Sequence, residues 1–117
     1  MSAQRESGRC DWLWERGTAI LLIGLVLWLE IHLAALPGLS RTSLTLWFEH
    51  PLNLGATIAF IIIGALHAGL GLRSIVIDYV STRASRFLML LLIRLLLVVS
   101  AIVGLGSLWV LRTGITT

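Results

Sequence analysis

The stretch PLNLGATIAFIIIGALHAGLGL, residues 51–72, decides the fold, because it contains no charged side chain and a single histidine, His67. An α-helix needs about 20 predominantly apolar residues to cross the hydrocarbon core of a bilayer, and this stretch meets that length. The apolar character continues past Arg73 as far as Ile77. We therefore predict a transmembrane helix over residues 52–77.

Two further apolar runs lie on either side of this stretch. The first covers residues 17–36 and is followed by Pro37-Gly38, a pair that ends helices. The last covers residues 87–111 and is interrupted only by Arg94. The connections between the runs are short, so we predict one membrane domain over residues 1–117 with three transmembrane helices.

The composition of the whole chain agrees with a membrane protein and excludes two other classes. Hydrophobic residues make up 57% of the 117 residues, and charged residues only 13%. A soluble domain has about a quarter of its residues charged, and a disordered chain combines low hydrophobicity with high charge. The net charge is +3, and the charged residues lie mostly beside the apolar runs. This position indicates that they interact with lipid headgroups and set the orientation in the membrane, rather than bind nucleic acid. The expected fold class is an all-α membrane protein.

The arginines are distributed unequally between the two ends of the predicted helices. Two of them, Arg41 and Arg112, lie at one end. The opposite end has six: Arg5, Arg9, Arg16, Arg73, Arg83 and Arg86. Because positive residues favour the cytoplasmic side, we predict a multi-pass protein whose N-terminus is cytoplasmic.

His67 is a polar side chain well inside the cleanest span, and such a residue needs a physical reason. Gly64 precedes it by three residues and Gly71 follows it by four, so all three share one helical face. Two interpretations are open. A histidine between glycines leaves room for a porphyrin whose iron it ligates, and Gly64 and Gly71 would then face the haem. Alternatively, the small residues allow close helix packing and the histidine bridges helices by a hydrogen bond.

Asp78 lies eleven residues after His67, about 16 Å farther along nearly the same helical face, at the inner interface. Tyr79 is next to it, and a phenol beside a carboxylate can be ordered by it or relay a proton through it. The simpler alternative is a helix-capping Asp78 and an interfacial aromatic Tyr79. Arg16, at the inner end of the first helix, either marks orientation or pairs with an anion such as a headgroup or a propionate.

Three other polar residues lie within the predicted spans: Glu30, His32 and Arg94. Their positions assign no role to any of them. His32 lies near the outer end of the first span, and its depth differs from that of His67 by about 7 Å, which disfavours one metal shared by both. Intramembrane charges also occur in small transporters and channels, and a purely structural assembly subunit is a further alternative.

The stretch LHAGLGLRSIVIDYV, Leu66–Val80, resembles the hydrophobic membrane anchor of bacterial succinate dehydrogenase, respiratory complex II. That family has a His-Ala pair, a glycine four residues after the histidine, and an Asp-Tyr pair eleven and twelve residues after it. This chain has the matching residues at these spacings: His67, Ala68, Gly71, Asp78 and Tyr79. A weaker similarity covers Arg16, Thr18 and Ala19 at the first helix and Arg86 at the third.

The resemblance implies half of a heterodimeric helical anchor bundle in the bacterial inner membrane. Its partners would be a cytochrome b anchor subunit, an iron–sulfur subunit and a flavoprotein subunit that oxidises succinate in the tricarboxylic acid cycle. The two anchor subunits would share a b haem, and ubiquinone would be the substrate that they help to reduce. A quinol:fumarate reductase anchor, in which the same chemistry runs backwards, is the nearest alternative.

The resemblance also implies roles for individual residues. His67 would be one axial ligand of the haem iron, and a histidine of the partner chain would be the other. Arg16 would bond a haem propionate. Tyr79 would hydrogen-bond a quinone carbonyl oxygen, and Asp78 would lie beside it in the proton pathway.

Overall fold

The computed structural model describes residues 2–113, with side chains from residue 8 onward, and this part of the chain is helical without any strand. It contains four helices: α1 (Ser2–Ala34), α2 (Arg41–Glu49), α3 (Pro51–Tyr79) and α4 (Arg83–Thr113). The side chain of Arg5, one of the predicted orientation charges, lies outside the described residues.

Three of these helices are long and apolar enough to cross a membrane, which confirms the all-α membrane fold. The candidate spans are Gly8–Ala34 with 27 residues, Pro51–Tyr79 with 29 residues and Arg83–Thr113 with 31 residues. Each helix begins before the predicted apolar core, because backbone hydrogen bonding continues where the side chains become polar. The first helix ends at Ala34, two residues before the predicted end, since Pro37 disfavours helical geometry in the residue that precedes it.

The first connection contains a helix that the apolar pattern did not predict. Ser40 caps α2 by accepting a hydrogen bond from the backbone N–H of Ser43, and the Ser43 side chain accepts one from the Ser40 N–H in return. The His50 side chain then caps α3 by accepting a hydrogen bond from the Leu52 N–H, with Pro51 in the first turn. This sequence of caps turns the chain sharply from α2 into α3.

The helices form an open row rather than a closed bundle. Helix α3 lies between α1 and α4 and contacts both, and α2 packs across α3 and α4. Among the described side chains only four are buried: Thr18, Leu29, Phe48 and Val76. Most large apolar side chains of the three long helices are exposed, so lipid or other protein must cover them.

An aromatic cluster ties the end of α1 to α2. The indole of Trp28 stacks on the His32 ring at 4.1 Å between centroids and lies 6.2 Å from the ring of Trp47. Trp47 in turn meets Phe48 edge to face at 5.0 Å. The Asn53 side-chain amide donates a hydrogen bond to the Trp47 carbonyl at 2.8 Å, which joins this cluster to α3.

At the other end of the molecule, Arg86 closes the turn between α3 and α4. Its Nε donates to the Val80 carbonyl at 3.0 Å and its Nη2 donates to the Ile77 carbonyl at 3.2 Å. These are carbonyls at the C-terminal end of α3, where a cation is favoured both by hydrogen bonding and by the helix dipole. Arg86 therefore holds the helix end that carries Asp78 and Tyr79.

Candidate functional site

His67 and Thr18 meet at the interface between α1 and α3. The Thr18 Oγ1 lies 2.9 Å from His67 Nδ1, within hydrogen-bonding distance. Thr18 is only 4% exposed, although it is a polar residue on the surface of a membrane helix. The same hydroxyl donates to the Trp14 carbonyl at 2.7 Å, with the Glu15 carbonyl at 3.2 Å as a longer partner. The structure thus brings the most informative histidine of the sequence against a buried hydroxyl.

The other ring nitrogen of His67, Nε2, is open. Within residues 8–113 it has no hydrogen-bond partner. No buried side-chain nitrogen or oxygen of these residues lacks a partner, and His67 is half-buried, so its unpartnered Nε2 has accessible surface. One side of the imidazole is therefore anchored inside the chain, and the other has accessible surface and no partner among the described residues.

Polar contacts hold α1 and α3 in register on one side of the Thr18–His67 pair. The Arg73 guanidinium and the Asp11 carboxylate form an ion pair at 4.0 Å. Glu15, one turn closer to Thr18 on α1, has a carboxylate oxygen 3.4 Å from the Ser74 Oγ of α3. Asp11, Glu15 and Thr18 follow one another at spacings of four and three residues, so they lie on one face of α1.

Apolar packing continues the same face on the other side of the pair. A Cβ placed on Gly64 would lie 3.9 Å from Leu22 Cδ2, an ordinary contact distance. Gly64 therefore faces α1, at a distance that would also accommodate a methyl group. Gly71, at the next position on the His67 face, has nothing within 4 Å of its Cβ position. Of the two glycines beside His67, Gly71 adjoins open space and Gly64 packs against α1.

At the interface between α3 and α4, each helix contributes a glycine, Gly69 from α3 and Gly104 from α4. A Cβ on Gly69 would lie 3.1 Å from Leu97 Cδ1, and one on Gly104 would lie 3.3 Å from Ile61 Cδ1. Small residues at these positions let the backbones of adjacent membrane helices come close. The structure shows what the packing interpretation expected, because His67 bridges α3 and α1 by its hydrogen bond to Thr18 and Gly64 faces α1, while Gly71 leaves space beside the histidine.

Arg16 is on α1 near the pair but is not part of it. It precedes Thr18 by two residues, a spacing that puts it about 3 Å away along the axis and on a different side of the helix. Its guanidinium carbon lies 5.6 Å from the centroid of the Trp12 ring, which is a cation–π distance. The side chain is exposed, so it remains open to an anion at the membrane surface.

Asp78 and Tyr79 form a separate location at the end of α3. Both side chains are exposed, and Tyr79 is 84% exposed. Eleven residues of helix separate Asp78 from His67, which corresponds to about 16 Å. The structure therefore keeps the interfacial acid and phenol apart from the intramembrane histidine, as the helical arithmetic predicts.

Glu30, His32 and Arg94 are not assembled with His67. His32 donates from Nδ1 to the Trp28 carbonyl at 2.8 Å, while Glu30 and Arg94 are exposed. Because Thr18 lies opposite His67 and His32 is fourteen residues farther along α1, the two histidines differ in depth by about 21 Å. The described part of the chain holds no group of three or more His, Cys, Asp or Glu residues that could bind a metal ion.

In the sequence, Thr18 stands out only as one position of the weaker family similarity at the first helix, and that similarity gives it no role. When depth is measured from the ends of the apolar runs, Thr18 lies at the edge of the first span and His67 about 15 Å inside the second. The sequence therefore did not predict that the two residues are in contact. The signal that could have revealed it is the pair of complementary charges, Asp11 and Arg73, which fixes the register of α1 against α3.

The fold and the site define a class: a three-span helical membrane protein with an anchored histidine inside one span. A family model described as succinate dehydrogenase/fumarate reductase transmembrane subunit matches residues 3–101. The chain belongs to this family, as the resemblance of the Leu66–Val80 stretch predicted.

Curated relatives from three species share this assignment. All three carry the name succinate dehydrogenase hydrophobic membrane anchor subunit. The protein of Rickettsia bellii is 31% identical over 91 residues, which cover 77% of this chain and 72% of the relative. The proteins of Rickettsia conorii and Rickettsia felis are 28% and 29% identical, over 86% and 82% of this chain and 81% and 80% of their own lengths. No solved structure matches the chain.

Proposed function

We propose that this chain is a membrane anchor subunit of a succinate:quinone oxidoreductase, in which it helps to bind a b haem and to form the quinone-reduction site. The observation that carries the proposal is the state of His67. Its Nδ1 is hydrogen-bonded to Thr18 inside the chain, and its Nε2 is accessible. The names of the relatives, which describe succinate dehydrogenase anchors, support the same function.

The residues around His67 fit a haem. A b haem needs an axial nitrogen and no side chain that collides with the ring, and the open space at Gly71 lies on the face of α3 that carries His67. His67 would supply one axial ligand, and the exposed Arg16 would meet a propionate from the inner end of α1. The haem, when bound, supplies one-electron storage at this depth.

The second axial ligand has to come from outside this chain. His32 is the other histidine within a span, but it lies about 21 Å from His67 in depth and bonds to its own helix. His50 caps α3 at the outer end. A histidine of a cytochrome b partner subunit therefore completes the pair, and the exposed apolar faces of the open helix row supply the surface for that partner.

The quinone site is proposed at the end of α3. Tyr79 would donate its phenolic hydrogen bond to a quinone carbonyl oxygen, where charge develops on reduction. Asp78 beside it would hold and pass on a proton, since quinone reduction takes up two protons with two electrons. The 84% exposure of Tyr79 leaves it open to quinone and to a covering subunit. An iron–sulfur protein bound at this end would deliver the electrons from a flavoprotein partner.

The orientation follows from the same arrangement. The Asp11–Arg73 ion pair shows that the beginning of α1 lies beside the end of α3, so the arginine-rich segments share one end of the molecule. Positive residues favour the cytoplasmic side, which supports an orientation in which this end and the N-terminus would face the cytoplasm from a bacterial inner membrane.

The test of this function compares His67→Ala with His32→Ala in the purified complex. Both variants remove an imidazole whose Nδ1 is hydrogen-bonded, but His32 bonds within its own helix, whereas His67 bonds from α3 to α1 and lies on the helix face that has open space at Gly71. We expect the b-haem absorption spectrum to be lost in His67→Ala and retained in His32→Ala. An unchanged haem spectrum in assembled His67→Ala complex would refute the ligand assignment.

A further inference from the structure

We propose that Thr18 is a positioning residue that fixes the tautomer of His67, by accepting a hydrogen bond from Nδ1–H so that the lone pair of Nε2 faces the haem iron. The inference rests on the proposed function, because it assigns a role to Thr18 through the ligand. The inference makes Thr18 a determinant of haem affinity and of the haem reduction potential, although its helix, α1, supplies no ligand to the iron.

The direction of the hydrogen bond follows from counting hydrogens. A threonine hydroxyl has one hydrogen to donate and two lone pairs to accept with. The Thr18 hydroxyl lies 2.7 Å from the Trp14 carbonyl, which has no hydrogen, so this contact uses the one that Thr18 has. The 2.9 Å contact with His67 Nδ1 then requires the imidazole to be the donor. A neutral imidazole with its hydrogen on Nδ1 carries its lone pair on Nε2.

The position of Thr18 makes this hydrogen bond hard to replace. Thr18 is 4% exposed, so water has little access to this position and does not easily replace the hydroxyl as an acceptor when the side chain is changed. The two helices face each other on both sides of Thr18, with the Asp11–Arg73 pair toward the inner end and Leu22 opposite Gly64 on the other side. Thr18 therefore stays opposite His67, and removing its hydroxyl leaves Nδ1–H without an acceptor in a mostly apolar interface.

The consequence for a bound iron has a definite sign. A hydrogen bond accepted from the far nitrogen of a ligating imidazole fixes the ring and raises the basicity of the ligating nitrogen. A more basic ligand stabilises ferric iron more than ferrous iron, and so lowers the reduction potential. Removing the hydroxyl should therefore weaken haem binding and raise the potential of the haem that remains.

The experiment uses the whole purified complex with three substitutions in this chain. Thr18→Val removes the hydroxyl and keeps the shape, whereas Thr18→Ser keeps the hydroxyl. Thr57→Val is the matched control, because the Thr57 hydroxyl donates only to the Asn53 carbonyl of its own helix, at 2.9 Å. Haem content per flavin, the midpoint potential and the low-spin electron paramagnetic resonance signal are measured in each.

We expect Thr18→Val to lose haem about tenfold more readily than the unmodified complex, which is the usual effect of removing such a partner. The potential should rise, by about 59 mV if the ratio of ferric to ferrous binding changes tenfold. Thr18→Ser and Thr57→Val should match the unmodified complex in all three measurements. If Thr18→Val does not assemble, Thr18→Ala is measured in its place, because alanine suits any helix position.

The outcomes separate this inference from the proposed function. If His67→Ala loses the haem while the hydroxyl-free Thr18 variant keeps unmodified haem content, potential and resonance signal, the role of Thr18 is refuted and the ligand assignment stands. If His67→Ala keeps its haem, both fail. A shift in Thr57→Val equal to that in Thr18→Val would also overturn the inference, since any lost hydroxyl would then suffice.

Discussion

Replacing Arg86 by glutamine should loosen the end of α3 that carries Asp78 and Tyr79. Arg86 donates one part-buried hydrogen bond to the Val80 carbonyl at 3.0 Å and one exposed hydrogen bond to the Ile77 carbonyl at 3.2 Å. Glutamine is too short to reach both carbonyls and carries no charge for the helix end. The backbone of the last turn of α3 then loses its tie to α4.

The size of the effect follows from these two bonds. A hydrogen bond from a charged donor contributes about 1.5 kcal/mol when part-buried, and an exposed one about 0.5 kcal/mol. Their sum, about 2 kcal/mol, corresponds to a roughly thirtyfold rise in the population of the opened helix end. The affected amides include that of Val80, which donates to the Val76 carbonyl at 2.9 Å.

Amide hydrogen exchange of the purified complex, resolved to the peptide that spans residues 76–82, measures this opening. Arg83→Gln is the matched control, because it removes an equal charge three residues away and Arg83 makes no such bond among the described side chains. We expect faster exchange and a raised KM for quinone in Arg86→Gln alone. Equal exchange in the two variants would refute the claim that the guanidinium clamps this turn.

Two more perturbations follow from the exposed and buried aromatics. Tyr79→Phe removes the phenolic donor without changing the fold, so quinone reduction should fall while succinate oxidation by an artificial acceptor is unchanged; loss of neither activity would contradict the quinone role. Phe48→Ala empties a site that is 8% exposed and should cost about 3 kcal/mol in the free energy of unfolding, measured by thermal denaturation. Leu46→Ala, at a position 60% exposed, is its control and should be near neutral, and equal losses would contradict the burial argument.

The spans were predictable because each spanning segment must by itself be apolar over the full thickness of the hydrocarbon core. A local count of apolar residues is enough to find α1, α3 and α4, and Pro37 is enough to end the first. Helix α2 was missed because its capping box has Ser43 where glutamate or glutamine is usual, and because a count of long apolar runs does not detect a helix of nine residues.

Depth is where sequence reasoning went furthest astray. Hydropathy marks where the side chains become polar, whereas the helices continue beyond that point, so distances measured from apolar boundaries carry the error of both ends. The value of about 7 Å between the depths of His32 and His67 becomes about 21 Å once Thr18 is seen opposite His67. The smaller difference already disfavoured one metal shared by both histidines, and the larger difference disfavours it more strongly.

The large difference in depth between His32 and His67 relates the open fold to the proposed function. In the proposed haem role, His67 supplies half of a bis-histidine site through its accessible Nε2, and a second chain at the same depth supplies the other half. The exposed faces of α1, α3 and α4 leave the helix row incomplete, just as the proposed ligand set is incomplete without a partner chain. Burying those faces against a partner and completing the iron ligation would therefore be one event, so assembly and haem binding should stabilise each other.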